Sequence, residues 1–123
     1  MVVDTSVLLA IFLGETHAEW AVERLEQYRG QTVMSTVNLA ETLIILRDRQ
    51  PKHFDSLETR LLSGGVRFVA PDVRQSRIAA EARLKYPLNL GDCFAYALAR
   101  EEGIGILTLD SDFRSVDVPV QLP

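Results

Sequence analysis

An α/β fold, with a mostly parallel sheet covered by helices on both faces, is predicted by three features of the chain. Short apolar runs alternate with longer segments of helical periodicity. Glycines and prolines mark the boundaries between them. Carboxylates stand at or just past the ends of the apolar runs, where open α/β sheets place their ligands. At 123 residues the chain is expected to form one domain over 1–123, with a real core and no room for a second ordinary domain.

Val2-Val3-Asp4 reads as a very short buried strand. The dense apolar run from Ser6 to Leu13 predicts a buried helix ended by Gly14. A second helix is expected from His17 to Tyr28, its apolar stripe made of Trp20, Ala21, Leu25 and Tyr28. Thr32 to Ser35 is the next strand. The third helix, Val37 to Arg49, presents Leu39, Leu43 and Leu46, with Ile44 and Ile45 widening that face. Pro51 suits the first turn of a further helix reaching Leu61 or Leu62, since its missing donor is harmless there.

Val66 to Val69 is a strand broken by Pro71, and Asp72 is suited to cap a long helix ending near Tyr86-Pro87. Leu90-Gly91-Asp92 leads into a helix ended by Gly103. Ile104 to Leu109 gives the fourth strand and Val118 to Val120 a short edge strand.

Composition narrows the functional classes. The apolar fraction is 47%, which suits a globular protein and argues against disorder. No apolar stretch is long enough to cross a bilayer and no leader-like segment precedes Asp4, so a cytoplasmic protein without membrane contact is expected. The net charge of −4 argues against holding nucleic acid by bulk electrostatics. Eleven of the 13 basic residues are arginines, whose planar fork suits phosphate contacts. The single cysteine, Cys93, reads as a small buried thiol, and His17 and His53 form no zinc-like spacing.

Asp4, Glu41, Asp92 and Asp110 carry the chemistry. In a parallel sheet, residues just past the strand ends share one rim. Asp4 and Asp110 meet there if their strands are neighbours. Asp92 begins a helix that feeds the fourth strand, and Glu41 lies about one turn into the helix after the second. Structural roles are open to three of them, Asp4 and Asp92 as helix caps and Asp110 as a turn former. Glu41 is either solvated or, if buried, in need of a partner or a metal. Together, acids without matching bases repel one another and suit a hard divalent cation with oxygen ligands.

Such a cation acidifies water and stabilises charge on phosphoryl oxygens, so a phosphodiester is the natural substrate. Ser6 and Thr108 are candidates for orienting carboxylates or waters, and Asn38 for touching substrate or a coordinated water. Asp112 competes with Asp110 as the fourth acid and is also placed to cap the turn at Phe113-Arg114. The apolar surface of the first two helices suits a dimer or partner interface.

Four stretches together resemble PIN-domain ribonucleases, specifically the VapC-like toxins of prokaryotic toxin–antitoxin pairs. They are Val2-Val3-Asp4-Thr5-Ser6, Asn38-Leu39-Ala40-Glu41, the run from Leu88 to Ala99, and Leu107-Thr108-Leu109-Asp110-Ser111-Asp112-Phe113. The resemblance spans essentially the whole chain. It implies a three-layer α/β/α fold around a twisted, mostly parallel sheet of four to five short strands. It also implies an acidic pocket for Mg2+, with Mn2+ able to substitute, in which Asp4, Glu41, Asp92 and Asp110 are metal-binding and catalytic.

The activity implied is hydrolysis of RNA (transfer, ribosomal or messenger). The partners implied are a second copy of the chain and a VapB-like antitoxin, which alone contacts operator DNA. The competing readings are an inactive PIN-fold binding module and a PIN nuclease that is not a toxin. The RNA target, the number of metals and the choice between Asp110 and Asp112 stay open.

Overall fold

A computed structural model describes residues 1–123. The sheet has five strands, β1 (Val2–Val3), β2 (Val33–Ser35), β3 (Arg67–Val69), β4 (Ile106–Leu107) and β5 (Val120–Gln121), in the order β3-β2-β1-β4-β5. Every neighbouring pair is parallel. Six α-helices connect and cover them: α1 (Thr5–Leu13), α2 (Ala18–Gln27), α3 (Thr36–Arg49), α4 (Phe54–Ser63), α5 (Val73–Lys85) and α6 (Leu90–Glu102). A short 3-10 helix, Ser111–Ser115, follows β4.

β1, β2 and β4 are buried throughout, while the edge strands β3 and β5 are partly exposed. Successive side chains point to opposite faces. Val2, Val33 and Ile106 therefore join a core with Ala79 and Ala82 of α5, Leu98 of α6 and Phe113 of the 3-10 helix. Val3, Met34 and Leu107 face the other way, onto Val7 and Leu8 of α1, Ala21 of α2 and Leu61 of α4. The register fixes this division: Val2 lies opposite both Val33 and Ile106, and Val3 opposite Leu107.

Several boundaries differ from the sequence expectation. Pro51 sits in a turn, and the following helix begins at Phe54 after His53. The fourth strand contracts to Ile106–Leu107, and the last shifts to Val120–Gln121. On α3 the fully buried stripe is Asn38, Thr42 and Leu46, spaced at i, i+4 and i+8. Ile44 falls two residues from both Thr42 and Leu46, about 200° around the helix, and is 68% exposed. The last helix begins at Leu90, two residues before Asp92, because Asn89 is its N-cap. Gly14 and Gly103 end α1 and α6 in the left-handed conformation, with φ of 64° and 67°. No helix is long and apolar enough to cross a membrane.

Candidate metal centre

β1 lies beside β4 and beside β2, so the strand order reverses at β1, and ligands of open α/β sheets bind outside the carboxyl ends at such a point. The residues that leave β1 and β4 there are Asp4 and Thr108-Leu109-Asp110. Asp4 is the N-cap of α1 and only 3% exposed. Its Oδ2 accepts from Ser6 Oγ at 2.7 Å, Thr108 Oγ1 at 2.9 Å and the Ser6 amide at 3.4 Å. The two hydroxyls also accept from the amides that follow β4: Ser6 Oγ from Leu109 at 2.9 Å and Thr108 Oγ1 from Asp110 at 3.0 Å. The strand ends are thereby stitched together around one carboxylate oxygen.

Asp92 enters from α6, where it and Asn89 form a capping box. The Asp92 amide donates to Asn89 Oδ1 at 2.9 Å, and the Asn89 amide donates to Asp92 Oδ2 at 3.2 Å. The helix cap and the candidate metal ligand are thus the same side chain. Asp110 caps the 3-10 helix, its Oδ1 accepting from the Asp112 amide at 2.9 Å. That corrects the expectation that Asp112 supplies this cap: Asp110 precedes the helix, whereas Asp112 lies inside its first turn and its carboxylate is exposed. One carboxylate oxygen from each of Asp92, Asp110 and Asp112 lies within 4.8 Å of the others.

Electrostatics place the remaining acids in the same cluster. Burial, and after it the charge of Asp4, raise the Asp92 carboxyl to about 7; Asp110 and Glu41 push in the same direction, against the Asn89 amide. Asp4 is raised by burial and by Asp110, against the hydrogen bonds from Ser6 and Thr108. None of the ion pairs in the protein involves Asp4, Glu41, Asp92, Asp110 or Asp112. An all-oxygen donor set, held in mutual repulsion with no cation of its own, fits a hard divalent metal.

Glu41 is half-buried on α3. Its Oε1 accepts from Asn38 Nδ2 and from Thr5 Oγ1, each at 3.0 Å. Asn38 is fully buried, so it reaches the site through Glu41 rather than by touching substrate. Thr5 is the functional candidate that sequence reasoning missed. It is separated from Glu41 by 36 positions, and nothing in local spacing announces the contact. Gly91 is another: a Cβ there would stand 2.1 Å from Glu41 Oε1. Its signal was a glycine immediately before Asp92 in the first turn of α6, where a residue with a side chain would be the better helix former. Cys93, next to Asp92, is 2% exposed and donates weakly to Leu88 O, as a packed thiol would.

The PIN domain pattern matches residues 1–119. Ribonuclease VapC42 of Mycobacterium tuberculosis is 36% identical over 127 aligned residues, covering 96% of each chain. Ribonuclease VapC of Mycolicibacterium smegmatis is also 36% identical, covering 96% of this chain and 97% of its own. Among solved structures, a toxin–antitoxin complex from Klebsiella pneumoniae superposes with a TM-score of 0.80 at 21% identity, covering 99% of this chain and 96% of that one. The chain belongs to the PIN-domain family, among relatives named VapC ribonucleases.

Proposed function

We propose that the protein is a Mg2+- or Mn2+-dependent endoribonuclease, the toxin of a VapBC-type pair acting in the cytoplasm. The observation that carries this reading is the cluster of Asp92, Asp110 and Asp112, joined electrostatically to Asp4 and Glu41 at the switch point of the sheet. Family membership supports the reaction class, since the relatives at 36% identity are named ribonucleases. A small VapB-like antitoxin is the proposed partner, with operator DNA contacted through it. A net charge of −4 makes direct DNA binding by this chain unfavourable.

Asp4, Glu41, Asp92 and Asp110 are the proposed metal-binding carboxylates, with Asp112 adjoining. When bound, the cation supplies a counter-charge for phosphoryl oxygens and acidifies a coordinated water. The chain's own residues do the positioning. Ser6 and Thr108 saturate one oxygen of Asp4 and leave the other free to ligate. The capping box fixes Asp92 against the start of α6, and the Asp112 amide fixes one oxygen of Asp110. Without a cation, burial and the neighbouring acids raise Asp92 to about 7, and a bound cation would relieve that repulsion and favour the ionised carboxylate.

The test is incubation of total cellular RNA with the antitoxin-free protein, with Mn2+ or with chelator, beside Asp92→Asn. Discrete products that require Mn2+ and vanish in the variant are expected. No products from folded wild-type protein, or equal cleavage by Asp92→Asn, would sink the reading and leave a PIN-fold binding module in its place.

A further inference from the structure

Glu41 reaches the acidic rim without a cationic partner and without the backbone caps that hold Asp92 and Asp110. Its Oε1 instead takes side-chain hydrogen bonds from both Thr5 and Asn38, while Oε2 receives none from the protein. The carboxylate lies directly over Gly91, where a Cβ would stand 2.1 Å from Oε1 and 2.5 Å from Oε2. Asn38 donates its other N–H to Gly91 O at 3.0 Å. The glutamate is therefore seated on the residue that precedes Asp92.

The amide of Asn38 has one workable orientation. Both of its partners, Glu41 Oε1 and Gly91 O, are acceptors, so the NH2 group must face them. That orientation leaves Oδ1 buried with no donor, in a side chain of zero exposure. A buried carbonyl oxygen without a partner costs stability. An apolar side chain of similar size would fill the space without that cost, so what the amide contributes is its pair of donors. Thr5 has one hydroxyl proton and two acceptors in reach, Glu41 Oε1 at 3.0 Å and Asn38 O at 3.3 Å. The shorter contact is to the charged group, which is the stronger acceptor.

We infer that Thr5 and Asn38 are positioning residues that clamp Oε1 of Glu41 over Gly91 and leave Oε2 as the oxygen free to ligate. The clamp rests on the reading of Glu41 as a metal-site carboxylate. It assigns Thr5, at the start of α1, to the site that α3 and α6 build. It also explains why an orphaned acceptor persists at Asn38.

The experiment measures Mn2+ binding to the purified chain by calorimetry, with Thr5→Val and Thr5→Ser each made in the wild-type and Glu41→Ala backgrounds. Thr5→Val should weaken Mn2+ binding about tenfold, the scale of a lost hydrogen bond to a charged group. Thr5→Ser should restore binding to within about twofold. In the Glu41→Ala background the Thr5→Val loss should disappear, because the threonine acts only through that carboxylate. Equal loss in both backgrounds, or no loss in the first, overturns the clamp. If Glu41→Ala alone leaves Mn2+ affinity unchanged, Glu41 is no ligand and the clamp falls with it, a result visible before Thr5 is touched. Thr5→Ala repeats the measurement should valine prevent folding, with the same two outcomes.

Discussion

Thr108 Oγ1 donates to Asp4 Oδ2 at 2.9 Å although 104 positions separate the two residues, and the same oxygen accepts from the Asp110 amide at 3.0 Å. One hydroxyl thus fixes the carboxylate that leaves β1 and the backbone that leads to the acid beyond β4. Ser6 makes the matching pair of contacts. Thr108→Val and Ser6→Ala should each slow Mn2+-dependent RNA cleavage about tenfold or more, since hydrogen bonds to charged acceptors contribute about 1.5–3 kcal/mol. The double variant should depart from additivity, because both donors end on one oxygen. Initial rates on a single product band measure both effects.

Asp92 makes the metal-free protein sensitive to pH. Its folded-state pKa, about 7, exceeds the ordinary value of 3.8, so the folded chain binds the extra proton between those limits. Stability from this group is fully present below the ordinary value and is lost as pH rises through about 7. Asp92→Asn, which does not titrate and keeps an oxygen for the Asn89 amide, should therefore melt above wild type at pH 8 in chelator. The gap should shrink as pH falls toward 4. A gap independent of pH in thermal melts would contradict the assigned titration.

Divalent cations compete with that same proton. Mn2+ affinity should rise as pH increases toward about 7 and level off above it, as Asp92 becomes ionised. Calorimetric titrations at pH 5.5, 6.5, 7.5 and 8.5 (chosen to straddle about 7) would show the plateau. A flat profile across that range would remove Asp92 from the ligand set.

Gly91→Ala separates stability from activity. Alanine is a better helix former than glycine, by about 1 kcal/mol in a helix interior and by less in the first turn, where residue 91 lies. Its Cβ, however, would fall 2.1 Å from Glu41 Oε1, so the glutamate must move. Cleavage should drop about tenfold or more, the range lost when a catalytic constellation shifts by about an ångström. Melting temperature should change far less than for a core truncation. Wild-type rates in Gly91→Ala would show that Glu41 need not rest where the structure places it.

Asp110 and Asp112 divide their work unequally. Asp110→Ala removes a cap and should cost about 1 kcal/mol by denaturant melts, while Asp110→Asn retains most of that stability. Both should lose Mn2+-dependent cleavage. Asp112→Ala, at an exposed side chain whose amide rather than carboxylate serves the turn, should leave melting unchanged and weaken Mn2+ binding only. A stability loss at Asp112 equal to that at Asp110 would reverse the assignment of the cap.

The layer architecture was legible because burial on both faces leaves continuous apolar runs, as in Val2-Val3 and Ile106-Leu107, and because glycines at 14 and 103 end their helices. Strand lengths were less legible. Thr108 and Leu109 belong to an apolar run, yet beyond Leu107 the chain turns toward Asp4 instead of continuing the ladder. Ile44 misled because it lies about 200° around α3 from both Thr42 and Leu46, on the face away from the buried stripe. At the rim, Asp4 and Asp110 were visible from their places after strands, and Ser6 and Thr108 from hydroxyls at the same strand ends, whereas Thr5 was not. Thr5 meets Glu41 only once α1 and α3 are packed together, and the 36 positions between them carry no trace of the contact.

The first strand of the chain is the central strand of the sheet, and one of its two neighbours is β4, near the other end. Asp4 is made well before Thr108 and Asp110, so the hydroxyl that holds it and the acid beyond β4 arrive only when most of the domain has been made. A growing chain on the ribosome, surrounded by RNA, thus carries scattered carboxylates and no assembled centre. The proposed centre closes only once β4 has paired with β1.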